Sequence, residues 1–594
     1  MRKLKLLSIL MLPLVFCGIV KSQVPTISNF TPKNATLEAP VYITGSNFSA
    51  GTNVFFGPVK ANINYLSSDS LVAIVPAGAN YSQLRVLNNN GMGYSSYPFN
   101  LVFNSSQSAT PSLENRFTLP TQNSTANVQV ADFDGDGKPD LAIVNASSFT
   151  VSVYKNISTT GTLTPASFGP RMDVAVANWP RFVNVADFDN DGKLDMIVGH
   201  DYPVDTAYKI SIIKNTSTTG NISFQAPVLF PAAYRPGYSA IGDIDGDGKT
   251  DFVVANWESR IISLYRNITS SGIINSSSFA TRIEISDSSG GPLPYPSQIA
   301  LADVNGDKKC DIIVNNCAIN NIRIYKNTSS PGVLNFDLLY RVTLNTGMNG
   351  RGLAVADFDT DGKLDIALAN YGTNTFSIFK NTSSLTNITF ANRVDIVTGN
   401  YPFGLNVGDI DGDGRPDVVT SNQGLPTTLS VFKNVSQQGI ITTESFASRI
   451  NYSVGSEPRD LVICDLDADS KPDVLVANYN NENPSTVSIF KNSTIVSSVT
   501  PISSEIPSKY KLHQNFPNPF NPSTNIKFDV PKSDFVTLEV YNSQGRIVQT
   551  LVKENLSPGT YQVTFSGSNV SSGVYFYKFV TSDFVNTGKM MLIK

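Results

Sequence analysis

The sequence predicts an all-β protein, a seven-bladed β-propeller with a β-sandwich domain on either side. Three observations lead there. An aspartate-rich segment recurs seven times, at separations of 55, 56, 60, 54, 52 and 56 residues. Apolar runs of strand length, divided by Gly/Ser/Thr/Asn turns, fill the intervals between copies. Only 15% of residues are charged against 41% hydrophobic, a balance that favours strands and turns over surface helices. A chain of 594 residues also calls for several domains.

The N-terminus reads as a secretory signal over residues 1–22. Arg2, Lys3 and Lys5 form the basic start and Leu6 to Val20 the apolar core, with cleavage expected after Ser22. Bulky Phe16 before Cys17 argues against lipidation at that cysteine. No later stretch is long and apolar enough to span a membrane. Cleavage removes four positive charges and takes the formal charge from −4 to −8. No basic run points to nucleic acid. Cys310, Cys317 and Cys464 remain, an odd number that excludes a fully paired framework. On an extended strand Cys310 and Cys317 lie roughly 23 Å apart, too far to bridge. All three are read as buried small hydrophobes.

The repeat decides the fold. Its first copy runs Ala131-Asp-Phe-Asp-Gly-Asp-Gly-Lys-Pro-Asp140. An apolar strand precedes it, as in Val128–Ala131, and a second follows, as in Leu141–Val144. A third strand ends in a basic residue and Asn; the basic residues are Lys155, Lys214, Arg266, Lys326, Lys380, Lys433 and Lys491. A turn then leads to a fourth strand near a Ser-Phe pair, such as Ser167-Phe168. Four strands in each of seven units make a seven-bladed propeller. The last unit lacks its fourth strand, and an orphan strand, Arg116–Leu119, precedes the first loop with the right character to complete it and fasten the ring.

The loop has the chemistry of a calcium site. Calcium takes about six to eight oxygen ligands, and alternate side chains of a tight loop can face one centre. Positions 1, 3, 5 and 9 supply side chains and position 7 a backbone carbonyl. The seven ligand sets are Asp132, Asp134, Asp136, Lys138 and Asp140; Asp187, Asp189, Asp191, Lys193 and Asp195; Asp243, Asp245, Asp247, Lys249 and Asp251; Asp303, Asn305, Asp307, Lys309 and Asp311; Asp357, Asp359, Asp361, Lys363 and Asp365; Asp409, Asp411, Asp413, Arg415 and Asp417; and Asp465, Asp467, Asp469, Lys471 and Asp473. Gly at position 6, as at Gly137, allows the sharp turn. Carboxylates this close repel unless a cation joins them. An EF-hand would close at position twelve with Glu between helices, whereas this loop closes at nine with Asp between strands.

This pattern resembles the FG-GAP/VCBS repeat family over residues 113–492. The resemblance implies calcium between the first and second strands of each blade, up to seven structural ions. Two loops depart from it: the fourth has Asn305 at position 3 and Lys308 in place of Gly, and the seventh has Ser470 in place of Gly. Occupancy is expected to be weakest at Asp303–Asp311, where Lys308 adds strain and positive charge.

Residues 24–103 resemble an IPT/TIG domain, an immunoglobulin-like sandwich, on Pro25, Ile27, Phe30, Pro32, Val41, Ile43, Gly45, Phe48, Val54, Phe56 and Gly57. Residues 509–594, with Asn518-Pro-Phe-Asn-Pro522, Tyr541-Asn-Ser-Gln-Gly545 and Lys589-Met-Met-Leu592, resemble the C-terminal sorting domain of type IX secretion cargo, the second immunoglobulin-like sandwich. That resemblance implies export through the Sec and then the type IX machinery to the cell surface or medium. Linkers are expected at 104–112 and 493–508.

A ligand site is expected on the face opposite the aspartate loops, where the second-to-third turns and the segments leading into each blade lie. The thirteenth residue after each first Asp is Asn145, His200, Asn256, Asn316, Asn370, Asn422 or Asn478. These either cap turns or ring a ligand mouth, with His200 the odd member. Trp179, Trp257, Tyr371 and Tyr479 follow on the same rim and either pack between blades or stack on sugars or peptides. The Asn-x-Ser/Thr sequons at the third-strand ends, such as Asn156-Ile-Ser158, are read as turns. No HExxH, Gly-x-Ser-x-Gly or P-loop pattern occurs. The expectation is a secreted, non-catalytic binding or adhesion protein for extracellular polysaccharide or protein. The alternative is a polysaccharide lyase or glycoside hydrolase built on the same scaffold.

Overall fold

The computed structural model describes residues 24–103, 109–114, 116–203, 207–270, 272–286, 295–479, 485–494, 500–503, 506–567 and 570–593. The expected signal peptide lies outside them. The described residues are strands and turns apart from two single-turn 3-10 helices, Pro165–Ser167 and Thr443–Ser445. None forms a helix long and apolar enough to cross a membrane.

Seven four-stranded antiparallel sheets follow one another from Thr125. The first strand of each packs on the first strand of the next, and the seventh packs back on the first, so the sheets close a ring. We number the sheets as blades one to seven. Blade seven is completed by the early strand Phe117–Pro120, which pairs with Thr486–Phe490 in the register Val487 to Leu119. Every second strand, such as Asp140–Asn145 or Asp365–Asn370, is buried along its whole length. A strand with neighbours on both faces needs a continuous apolar run rather than alternation, which Leu141–Val144 and Ile366–Ala369 supply.

The first strands line the central channel, where space is tightest. A Cβ at Gly404 would stand 2.2 Å from the Arg459 carbonyl, so only glycine lets blades six and seven approach there. Each first strand is also bulged near its start. The extra residue is at Ala126, Arg181, Gly237, Ser297 and Phe403, and the shift spans Arg351 in blade five and Arg459 in blade seven.

Residues 26–101 form a sandwich around Phe30, Ile43, Phe56 and Phe99. It is seated on the aspartate-loop face of the ring. Met92 N donates to Gly248 O at 2.7 Å, Tyr97 Oη to Asp357 Oδ2 at 2.8 Å and Asn34 Nδ2 to Gly414 O at 3.2 Å. Asp132 N donates to Pro58 O at 3.2 Å. The sandwich thereby sits over one mouth of the channel and borders a cavity of about 450 Å³ lined by Tyr81, Arg85 and Tyr94 together with first-strand residues such as Gln129 and Asn184. The C-terminal region builds two four-stranded sheets over a shared core that includes Phe528, Leu538, Phe565 and Phe579. Cys317 and Cys464 are buried, and all three cysteines are free thiols.

Candidate metal centres and the open mouth

Each aspartate loop is a knot of backbone N–H donors around position 1. In loop one Asp136 N donates to Asp132 Oδ1 at 3.1 Å and Gly137 N to Asp132 Oδ2 at 2.9 Å. The turn requires left-handed backbone at position 6, where Gly137 has φ 87°. Lys308 and Ser470 adopt the same conformation, at φ 68° and 73°, so the two departures keep the turn at a steric cost.

The carboxylates converge. In the groups Asp132/Asp134/Asp136, Asp187/Asp189/Asp195, Asp243/Asp245/Asp251, Asp357/Asp359/Asp361 and Asp409/Asp411/Asp417, one oxygen from each residue lies within 4.8 Å of the others. Burial, reinforced by the neighbouring carboxylates, pushes Asp132 up to about 6 and Asp187, Asp243 and Asp465 up to about 7. Asp189, Asp359 and Asp467 each hold a buried Oδ1 with no hydrogen-bond partner. Hard oxygen donors, high local negative charge and unused buried lone pairs fit a hard cation, and the clusters can hold metal ions.

Two features of the loops were not legible as such. The basic residue ending each third strand is the counter-ion of its own loop. Lys155 pairs with Asp134 and Asp136, Lys380 with Asp359 and Asp361, and Lys491 with Asp467 and Asp469. In the fourth loop Lys326 reaches Asp307 at 3.3 Å, while Asn305 Nδ2 donates to Asp307 Oδ2. The ammonium takes the Oδ2 atoms; Oδ1 of Asp189, Asp359 and Asp467 stays unpartnered, while Oδ1 at position 5 accepts from the position-7 N–H, as Asp136 does from Lys138 N. Position 9 is a latch as well as a donor set. Asp140 Oδ2 accepts from Phe133 N at 3.0 Å and Oδ1 from Asn156 N at 2.8 Å, and the pair recurs down to Asp473 with Leu466 N and Asn492 N. The position-7 side chain, which has no part in ligation, also ties the loop: Lys138 Nζ donates to Ser158 O at 2.8 Å and Lys363 Nζ to Ser383 O at 2.9 Å.

The sequon asparagines are buried staples between blades. Asn381 Nδ2 donates to Leu364 O in its own loop and to Val304 O in the loop of blade four, both at 2.8 Å. Asn156 does the same to Pro139 O and, across the ring closure, to Leu466 O. Each also forms the expected turn, as where Ser158 N donates to Asn156 Oδ1 at 2.9 Å.

On the opposite mouth the ring at the thirteenth position is fully buried inside the blades. Asn145, Asn370 and Asn478 each donate Nδ2 to two hydroxyls on the facing third strand, for example Thr375 and Ser377. His200 is buried with them, its Nε2 2.6 Å from Ser211 Oγ, and burial pushes it down to about 4. It sits within the hairpin rather than at the open surface. Trp179, Trp257, Tyr371 and Tyr479 do reach the rim, half-buried at seams between blades. Trp179 packs 5.3 Å from Tyr202, Trp257 5.7 Å from Tyr295 and Tyr371 5.1 Å from Tyr401. Arg459 Cζ lies 3.3 Å above the Tyr479 ring.

Two further rings complete this mouth. The residue leading into each first strand is Ser124, Trp179, Arg235, Tyr295, Asn349, Tyr401 or Glu457, and all seven have φ between 47° and 61°. Bulky residues seldom hold that conformation, and strain of this kind gathers at functional sites. Inside it lies the ring of bulge residues, including Arg181, Arg351, Phe403 and Arg459. The only sequence signal for either ring is a place next to the Pro or Gly that opens six of the seven first strands, as in Trp179-Pro180-Arg181 and Glu457-Pro458-Arg459, the first blade opening on Thr125 instead.

Family profiles match all three regions of the chain. The FG-GAP-like repeat profile matches residues 132–198, 303–368 and 357–420, the IPT/TIG domain profile residues 25–103, and the secretion system C-terminal sorting domain profile residues 514–594. No curated protein matches the chain. Among solved structures, the chain is similar to an auxiliary nutrient binding protein from Bacteroides thetaiotaomicron, at 11% identity over 79% of this chain and 98% of that one, with a TM-score of 0.31. It is similar to the periplasmic gluconolactonase of Pseudomonas aeruginosa, at 14% over 76% and 100%, TM-score 0.39. It is also similar to PorZ, a surface component of the type IX secretion system of Porphyromonas gingivalis, at 10% over 96% and 100%, TM-score 0.26. The sorting domain marks the chain for type IX export to the cell surface or the extracellular space. The chain is an FG-GAP-like repeat protein that carries an IPT/TIG domain before its repeats and a secretion system C-terminal sorting domain after them.

Proposed function

We propose that this protein is a calcium-stabilised binding or adhesion protein of the cell surface or medium, which recognises an extracellular polysaccharide or protein through the open mouth of its propeller. One observation carries the reading. The IPT/TIG sandwich covers the aspartate-loop mouth, whereas the opposite mouth is open and ringed by aromatic and arginine side chains on strained backbone. Calcium, in up to seven loops, serves the ring rather than the ligand: it joins carboxylates of successive strands and makes the platform rigid. The loops lie on the side where the IPT/TIG sandwich is seated, away from the open mouth.

The catalytic alternative, a lyase or glycoside hydrolase, needs an available acid or base at the open mouth. Asp201 is held by Arg235 through two hydrogen bonds of 2.9 and 3.1 Å, Glu258 lies 3.7 Å from the same arginine and His200 is enclosed. Among the described residues this leaves Glu457 outside any ion pair, without a second free carboxylate at this mouth. We therefore favour binding without turnover. The test is a glycan and extracellular-protein screen of the mature chain with and without calcium. Binding without product supports the proposal; new reducing ends or an unsaturated-uronate absorbance would replace it with the catalytic reading.

A further inference from the structure

Arg181, Arg351 and Arg459 belong to blades two, five and seven, far apart in the sequence. The first-strand bulges turn all three toward one place, because an extra residue in a strand re-aims the side chain it carries. Arg181 and Arg351 line one cavity with half-buried Tyr238 of blade three and with Phe403, and Arg351 and Arg459 each lie 5.5 Å from that Phe403 ring. Arg181 also helps to push Arg459 down to about 10, burial being the larger cause.

Among the described residues none of these three guanidinium groups has a hydrogen-bond or carboxylate partner. Nε of Arg351 and both Nε and Nη1 of Arg459 are buried with their donors unused. The contacts of two of them are aromatic: Arg351 lies 5.5 Å from both Trp257 and Phe403 and 5.7 Å from Tyr371, and Arg459 lies 3.3 Å from Tyr479 and 5.5 Å from Phe403. The acidic groups around them do not supply the missing partners. Asp201 is taken by Arg235, Glu258 lies 3.7 Å from that same arginine, and Glu457 adds attraction to Arg459 without an ion pair. Asp460 is half-buried, accepts from Asn127 Nδ2, and is pushed by desolvation up to about 7. Like charges gathered with unpaired donors cost stability, and buried donors without partners call for an explanation.

We infer that Arg181, Arg351 and Arg459 form an anion subsite that takes the acidic group of a carboxylated or sulfated polysaccharide. The inference rests on the binding function proposed above. A guanidinium presents a planar fork of donors matched to carboxylate and sulfate oxygens. Arg181 and Arg351 line a cavity of about 290 Å³ with Trp257, Tyr238, Ser297 and Gln298, and Arg459 adjoins it through Phe403, a lining residue 5.5 Å from both Arg351 and Arg459. The volume lies near the lower end of ligand pockets, about 300–1,000 Å³, and suits one acidic sugar unit with its ring against Trp257 and its hydroxyls on Ser297 and Gln298. A folded protein would need a flat contact of roughly 800 Å², which a recess does not offer.

The test uses the mature chain in saturating calcium, with short alginate oligomers that calcium does not gel as the polyuronate, dextran sulfate as the sulfated chain, dextran as the neutral chain and polyglutamate as the acidic peptide. Binding is measured by calorimetry at two salt concentrations. The expected result is binding of one or both acidic glycans that weakens with salt, little binding of dextran or polyglutamate, and a loss of at least about tenfold for Arg351→Gln or Arg459→Gln, partly restored by Arg459→Lys. The arms with alginate and dextran sulfate tell carboxylate from sulfate. Melting temperatures keep folding in view: both Gln variants should melt at or above the parent, because each removes an unpaired charge. Glycan binding that survives both Gln substitutions but falls with Trp257→Ala overturns the anion subsite and leaves the binding function standing. Binding of polyglutamate alone overturns the glycan assignment. Failure of all four polymers to bind overturns the subsite, and the wider ligand screen then decides the binding function separately.

Discussion

Replacing Asn381 with Ala removes one staple between blades four and five, and its cost can be worked from the geometry. The asparagine is 1% exposed. Its side chain donates to Val304 O and Leu364 O and accepts from Ser383 N, each at 2.8 Å. The substitution strands two carbonyls and one N–H in a buried seam. An unsatisfied buried group costs about 1–3 kcal/mol. Water admitted to the vacated space will recover part of that, so ~3 kcal/mol is expected for the set. Over a unit of the size of residues 113–492, with an unfolding entropy of about 2.1 cal/mol/K per residue, that is a fall of roughly 4 °C in the propeller's melting temperature. The assay is differential scanning calorimetry of the mature chain in excess calcium. Asn387→Ala, at an exposed sequon asparagine nearby, is the control and should stay within about 0.5 kcal/mol of the parent. If Asn381→Ala also shifts the transition by less than about 1 °C, the staple is not holding the ring and the reasoning fails.

Chelation should lower the melting temperature of the propeller, because a cation bound only by the folded loops adds its binding energy to folding; an unchanged melt in EDTA with no metal by analysis would remove the metal sites. The chelated protein should also lose stability as pH rises from about 4 to about 8. Burial raises the folded-state values of Asp132 and Asp187 to about 6 and 7 and of Asp140 and Asp365 to about 8, so the folded form holds protons that the unfolded chain has released; saturating calcium should flatten that slope in parallel urea titrations. Lys380→Met leaves Asp359 and Asp361 without their counter-ion. It should cost about 3 kcal/mol in chelator and clearly less in calcium, and an equal cost in both would show that lysine and metal do not share the loop's charge. Lys308→Gly relieves a left-handed lysine at φ 68° and should stabilise the propeller by about 1 kcal/mol while tightening metal binding in loop four, read by calcium titration against the parent. Tyr97→Phe loses the bond to Asp357 Oδ2 and should loosen the IPT/TIG cap, read as faster amide exchange at Met92 and Asp132, whose N–H groups bond across the same contact.

Much of this was legible because it repeats. The loop, its flanking strands and the terminal asparagine of each third strand recur at one period, so a single local rule read seven times gave the sheets and the carboxylate clusters. The orphan strand at Phe117 was legible because a ring missing one strand needs one of matching character. The thirteenth-position residues kept both readings open in sequence, since a buried hairpin asparagine and a rim asparagine look alike until the facing third-strand serines are placed. Lys380 and its equivalents stood in plain view as a repeated basic residue, yet only the fold brings each to its own loop.

The sequence by itself determined the all-β class, the sevenfold repeat, the positions of the aspartate clusters and the export tail, because these depend on neighbours within a dozen residues or on local composition. The tertiary structure alone decided which mouth is open, what closes the other, and where three arginines meet. Those facts depend on contacts between residues hundreds apart, such as Met92 with Gly248 and Asn156 with Leu466, and on a bulge that re-aims a side chain whose identity is unremarkable in sequence. Arg181, Arg351 and Arg459 read singly as ordinary strand arginines. Only the closed ring places them together without partners.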